Sequence, residues 1–227
     1  VTETEGAAPE AVRFQAEPRP RLQPPPAAAV ESRGATVRAR LFDRVPLPAV
    51  EYYTFDGQKK GLADFVALSG AQAVLVVVQG SWCPICKKEM TALAGRADDL
   101  RKAGLRILAL AVDAAKPGAA RDDVEAARGF VNELKWPFDA GLAYEGTLRA
   151  LAGVNARALY PERDLALPSA WLIDAAGRIA VIYSGPVESE HLLADLRGLN
   201  ATPSPDWAFP FPGRHAQPLF RLTAAGI

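Results

Sequence analysis

Residues 73–90 read AVLVVVQGSWCPICKKEM, and this stretch decides how the chain folds. The β-branched run from Ala73 to Val78 has the composition of a strand buried on both faces. Gly80 and Ser81 mark a turn, and Trp82-Cys83-Pro84-Ile85-Cys86 follows where the pattern predicts a helix start. Pro84 suits that position, because the first residues of a helix need no N–H donor. The chain has 2 cysteines, and both lie here with two residues between them. A helix N-terminus offers free N–H groups and a positive dipole end, which favour a thiolate. A strand, a turn and a helix carrying Cys-x-x-Cys therefore point to a thiol–disulfide site.

Composition narrows the alternatives. The 227 residues are 49% apolar with a formal net charge of zero, enough for one domain with extensions or two small ones. No basic stripe argues for nucleic acid. No apolar run approaches the roughly 20 residues that span a bilayer. The first residue is Val1 rather than Met, which is read as processing or excision from a longer chain. Two cysteines are too few for a disulfide framework or for a four-ligand zinc site. A Cys/His metal cluster would need both His191 and His215 to converge on the pair. Lys87 stands where c-type haem attachment requires a His, so no metal and no cofactor is implied.

Taken in order, residues 1–34 are rich in Pro and Ala and read as a linker or arm. Residues 35–200 form the domain. Ala35 to Phe42 alternates like a strand, and Val45 to Phe55 is a second extended piece ending in the Asp56-Gly57 turn. Lys60 to Leu68 is a loop or short helix. Beyond the cysteines, Lys87 to Ala103 carries one helical face closed by Gly104, and Leu105 to Val112 is a second strand. A helix is predicted from Asp122 to Leu134, a short strand at Trp136-Pro137-Phe138, and a helix from Tyr144 to Ala152 stopped near Gly153. Ala170 to Ile173 and Arg178 to Tyr183 read as a hairpin around Asp174 to Gly177, and Glu188 to Leu199 as the last helix. This order implies an α/β fold, a mixed sheet with helices on its faces. Residues 201–227 are rich in Pro and aromatic residues and read as a C-terminal extension.

The Cys-x-x-Cys at the strand-to-helix junction, the preceding Trp82 and the Leu167-Pro168-Ser169 ahead of a later strand together resemble the thioredoxin fold. Within it, Cys86-Lys87-Lys88-Glu89, the segment Phe130 to Phe138, and Leu172-Ile173-Asp174 followed by Gly177 look most like TlpA/ResA-like redoxins. The resemblance covers about Val45 to Leu199 and extends to redoxin domains of larger repeat-containing bacterial proteins. It implies a thiol–disulfide oxidoreductase in an extracytoplasmic setting, with a protein thiol or disulfide as substrate and a second redox partner.

Carried over by residue, the resemblance makes Cys83 the exposed nucleophile and Cys86 the more buried resolving thiol. Pro84 and Ile85 would tune the redox poise. Pro168 matches a cis-proline facing the disulfide, with Leu167 before it where some relatives have a polar residue. Gly185 matches a glycine beside the same substrate groove. Glu89, three residues past Cys86, is either a proton relay to that thiol or a surface Glu paired with a base. Trp82 either shields the site or packs in the core. The segment from Gly153 to Leu167 departs from the family pattern and is a candidate for substrate choice.

Three other readings compete. A peroxiredoxin-like peroxidase also fits Gly80-Ser81-Trp82-Cys83-Pro84, but Gly80 stands where a Thr or Ser would hold the peroxide. A copper chaperone of similar fold would use a wider cysteine spacing and a partner His. A non-catalytic interaction domain would leave the paired cysteines unexplained.

Overall fold

The computed structural model describes residues 37–115, 120–159 and 165–199. The expectations for residues 1–34 and 201–227 lie outside these. The described residues build an eight-stranded mixed sheet in the order β1-β8-β7-β4-β5-β6-β2-β3. At its centre is β4 (Ala73–Gln79), every residue of which is buried. Parallel to it runs β5 (Leu105–Ala111), and beyond that β6 (Asp139–Ala143). On the other side β7 (Ser169–Asp174), β8 (Arg178–Ser184) and β1 (Val37–Pro46) add antiparallel. The far edge is the small pair β2 (Glu51–Tyr53) and β3 (Lys59–Gly61).

Period-two alternation divides β4 between two cores. Val74, Val76 and Val78 meet Leu62 and Val66 of α1 (Leu62–Leu68) and Leu151 of α5 (Glu145–Ala158). Leu75 and Val77 meet Leu93 of α2 (Pro84–Ala94), Leu100 of α3 (Ala97–Lys102), and Leu192 and Leu196 of α6 (Ser189–Gly198). Met90 of α2 packs with Phe130 and Val131 of α4 (Arg121–Glu133) over Ala109. Helices thus cover both faces of a mixed sheet, as the element order implied, and the arrangement is the one that the resemblance to the thioredoxin fold led us to expect.

Register brings distant segments to one end of the sheet. Val78 pairs with Ser169, Ser169 with Ser184, and Gln79 with Ala111. The residues after β4, after β5, before β7 and after β8 therefore share one rim. That rim carries Cys83, Asp113, Pro168 and Gly185.

The structure corrects four boundaries. The helix read across Lys87 to Ala103 begins at Pro84 and breaks at Gly95 and Arg96, so that Leu93 and Leu100 both enter one cluster. The strand expected at Trp136 to Phe138 lies at β6 instead. The Trp136 and Phe138 rings pack as a tilted pair with centroids 5.3 Å apart, and the Trp136 indole N–H donates to Asp139 O. Helix α5 passes through Gly153 rather than stopping there. A glycine inside a helix costs about 1 kcal/mol, which the burial of Leu151, Asn155 and Ala158 outweighs. Finally, β1 continues to Pro46 through an irregularity between Arg40 and Val45.

Candidate active site

Cys83 is the N-cap of α2, Pro84 is its first residue, and Cys83 and Cys86 are joined by a disulfide. The Cys86 N–H points at Cys83 Sγ at 3.1 Å. A free helix-end donor aimed at this sulfur favours negative charge on it. Cys83 is half-buried rather than exposed, and Cys86 is fully buried. The two sulfurs thus differ in access, as an attacking and a resolving thiol must.

Trp82 and Ile85 flank Cys83 at the surface, with exposures of 63% and 48%. Trp82 is therefore not core packing. Its ring folds back over Gly80: a Cβ built on Gly80 would lie 1.5 Å from Trp82 Cζ3. Any side chain at 80 would have to displace that ring.

Glu89 sits one turn beyond Cys86 and is 3% exposed. Its Oε1 accepts the Val187 N–H at 2.7 Å, while its Oε2 is buried without a hydrogen-bond partner. The surface ion-pair reading of Glu89 is thereby overturned. Burial raises its carboxyl to about 8, against the downward pull of the Val187 N–H. Near neutral pH this group holds a proton and can exchange it.

The Leu167–Pro168 bond is cis. Pro168 is buried, and half-buried Leu167 packs against the α1 and α5 side of the core. The Gly185 N–H donates to Pro168 O at 2.9 Å, and Gly185 has φ of 104°, a region that favours glycine. Residues 185–187 therefore bridge the Pro168 segment to Glu89 of α2, through Gly185 at one end and Val187 at the other.

Other neighbours of the site went unread in the sequence. The Gln79 side chain ends β4 fully buried, with neither amide atom hydrogen-bonded. It shares the sheet face of Leu75 and Val77, towards α2. Ser81 N–H donates to Asp113 Oδ2 at 3.2 Å, and its hydroxyl donates to Asp113 Oδ1. These contacts join residues 32 positions apart, and no local motif announces them. His191 lies on α6 beside Glu188, and His215 lies outside the described residues. Of the segment suspected in substrate choice, residues 154–158 extend α5 and residues 160–164 lie outside the description.

No described helix is long and apolar enough to cross a membrane. Known structures resemble this arrangement. A DsbF homologue from Corynebacterium diphtheriae superposes with a TM-score of 0.55 at 16% identity, over 74% of this chain and 96% of that one. A secreted thiol-disulfide isomerase from Corynebacterium glutamicum gives 0.53 at 22% identity, over 72% and 90%. A thioredoxin-family thiol:disulfide interchange protein from Chlorobium tepidum gives 0.52 at 17%, over 68% and 95%. At such identities the likeness establishes the fold, which is thioredoxin-like. A family model described as AhpC/TSA matches residues 44–182, more than half of the sequence, and the chain belongs to the AhpC/TSA family.

Proposed function

We propose that this protein is a thiol–disulfide oxidoreductase that exchanges the Cys83–Cys86 dithiol and disulfide with protein substrates. The observation that carries the reading is the pairing of accessible Cys83 with buried Cys86 above a buried, proton-holding Glu89. In the reducing direction, the Cys83 thiolate attacks one sulfur of a substrate disulfide. A mixed disulfide forms, and the other substrate sulfur leaves and takes a proton. In its ionised form, reached through the titration near pH 8, Glu89 takes the Cys86 proton, and the Cys86 thiolate attacks Cys83 Sγ. The mixed disulfide breaks, the second substrate thiol departs, and two electrons have passed to the substrate. Oxidation runs the same steps backwards.

Trp82, Pro84 and Ile85 line one side of the approach to Cys83, and Leu167, Pro168 and Gly185 the other. This rim suits an extended polypeptide whose apolar side chains rest on Trp82 and Ile85. A second redox partner must restore the dithiol or the disulfide after each cycle. An extracytoplasmic site of action fits a paired Cys-x-x-Cys and the secreted character printed for the Corynebacterium glutamicum relative. Gly80 speaks for a disulfide exchanger over a peroxidase, because the Trp82 ring fills the space where a Thr or Ser side chain would hold peroxide.

Titration in glutathione or dithiothreitol buffers tests this. The full chain should pass between dithiol and disulfide in a single two-electron step that either cysteine-to-serine change abolishes. Turnover of hydrogen peroxide by a chain that leaves disulfides untouched would replace the reading with a peroxidase.

A further inference from the structure

The turn that presents Cys83 is held from outside its own strand and helix. The Cys83 N–H donates to Gly80 O at 3.0 Å, closing the turn over Ser81 and Trp82. The last ladder bond between β4 and the chain beyond β5 runs from Val112 N–H to Gln79 O at 2.8 Å. Two residues beyond Gln79 and one beyond Val112, the ladder gives way to a side chain. The Ser81 N–H donates to both Asp113 oxygens, at 3.3 and 3.2 Å, and the Ser81 hydroxyl donates to Oδ1. Both donors of the second turn residue thus rest on one carboxylate anchored at the end of β5. From the solvent side the turn is covered by the Trp82 ring, which lies over Gly80 and is 63% exposed.

Charge-assisted bonds to a backbone N–H and a hydroxyl are stronger and more directional than neutral ones. Because Cys83 is the N-cap, the turn also sets where its sulfur stands relative to the free N–H groups of α2. A turn freed from β5 would let Ser81, Trp82 and Cys83 move together, while the disulfide partner Cys86 stayed fixed in the core.

We infer that Asp113 is a positioning residue for Cys83: acting through Ser81, its carboxylate clamps the turn that aims the attacking sulfur. The inference rests on Cys83 as the attacking thiol. It assigns Asp113 no contact with substrate. It requires an acceptor oxygen within reach of both Ser81 donors, as Oδ1 is, more than it requires charge.

The test uses the full chain, with a synthetic peptide containing one intramolecular disulfide as substrate and dithiothreitol as electron donor. Asp113→Ala should lower kcat/KM about ten-fold, because a displacement near 1 Å at a reacting group is worth one to two orders of magnitude. The loss should fall on kcat, with KM unchanged, since the clamp aims sulfur and does not bind peptide. Asp113→Asn, which keeps an acceptor for both Ser81 donors, should recover most of the rate. Ser81→Ala, which keeps only the N–H contact, should fall between the two. Equal rates for Asp113→Ala and wild type would overturn the clamp. So would an Asp113→Asn chain as slow as Asp113→Ala, since charge rather than hydrogen bonding would then be at work. If Asp113→Ala fails to fold, the order of wild type, Asp113→Asn and Ser81→Ala decides the matter. A wild-type chain that reduces no disulfide sinks the oxidoreductase reading and this one with it. A working wild type matched by its variants sinks the clamp alone.

Discussion

The Val187 N–H donates to Glu89 Oε1 at 2.7 Å, joining the segment after β8 to the helix that carries the cysteines. With the Gly185 N–H on Pro168 O, it links the Pro168 segment to a carboxyl group buried one helical turn beyond Cys86. One carboxyl oxygen is satisfied and the other is not, so the group is poised to prefer its neutral form.

That preference makes a signed prediction about stability. The folded-state value of Glu89, about 8, lies above its ordinary value of 4.5. Below 4.5 both folded and unfolded chains hold the proton, and the contribution is fully present. As pH rises towards 8 the unfolded chain releases its proton while the folded chain keeps it, so stability drains away and then levels off. Glu89→Gln removes this dependence and keeps an acceptor for Val187. Denaturant melts at pH 5 and pH 9 should show the variant gaining on wild type by roughly 4 kcal/mol between the two conditions. Parallel behaviour of the two proteins would mean that Glu89 ionises normally.

Glu89→Gln should also change the chemistry. Wild-type exchange should inflect near pH 8, where the carboxyl titrates, and the variant should lack this inflection and run several-fold slower at neutral pH. A stopped-flow pH profile of peptide-disulfide reduction reads this directly. An unchanged profile would remove Glu89 from the proton path.

Gly80→Ala should act through Trp82. The new methyl would stand where the indole now lies, and the exposed ring can swing outward, so stability should fall by no more than about 1 kcal/mol. The indole emission should move to longer wavelength, and the exchange rate should drop, as one wall of the substrate site is lost. A variant with wild-type emission and rate would show that the ring has another place to rest against the turn.

Away from the site, Asp195 anchors β1 and β8 to α6. Its buried carboxylate accepts Arg38 Nε–H at 2.7 Å, Arg38 Nη2–H at 2.6 Å and the Tyr183 hydroxyl at 2.5 Å, with Arg40 also in contact. Burial first, and then this carboxylate, push the Tyr183 phenol well up. Asp195→Ala strands that hydroxyl and uncouples Arg38, which should cost about 3 kcal/mol in equilibrium unfolding. The redox behaviour of the folded variant should be that of wild type.

The parts of this architecture that were legible in the sequence are those with local causes. Val74 to Val78 is a strand because β-branched residues fill both faces, and Pro84 starts a helix because it needs no donor. Boundaries failed where tertiary packing overrode composition. The segment Trp136-Pro137-Phe138 looks like a strand but packs its two rings against each other as a tilted pair, and Gly153 looks like a stop but is carried by the buried Asn155, which accepts the Trp171 indole N–H at 2.8 Å. Glu89 was ambiguous for a similar reason. Its surroundings depend on Val187, 98 positions away, and helical spacing alone places a Glu near Cys86 without saying whether water reaches it. Ser81 and Asp113 carried no signal at all, because a serine in a turn and an aspartate after a strand are ordinary until the parallel register brings them together.

The central claim is that Cys83 attacks and Cys86 resolves. The most direct measurement is capture of mixed disulfides by single-cysteine chains, read by mass spectrometry after mixing with a peptide disulfide. Cys86→Ser should accumulate a covalent adduct on Cys83, and Cys83→Ser should accumulate none. Adducts on Cys86 in the Cys83→Ser chain, or none in either variant, would contradict the account.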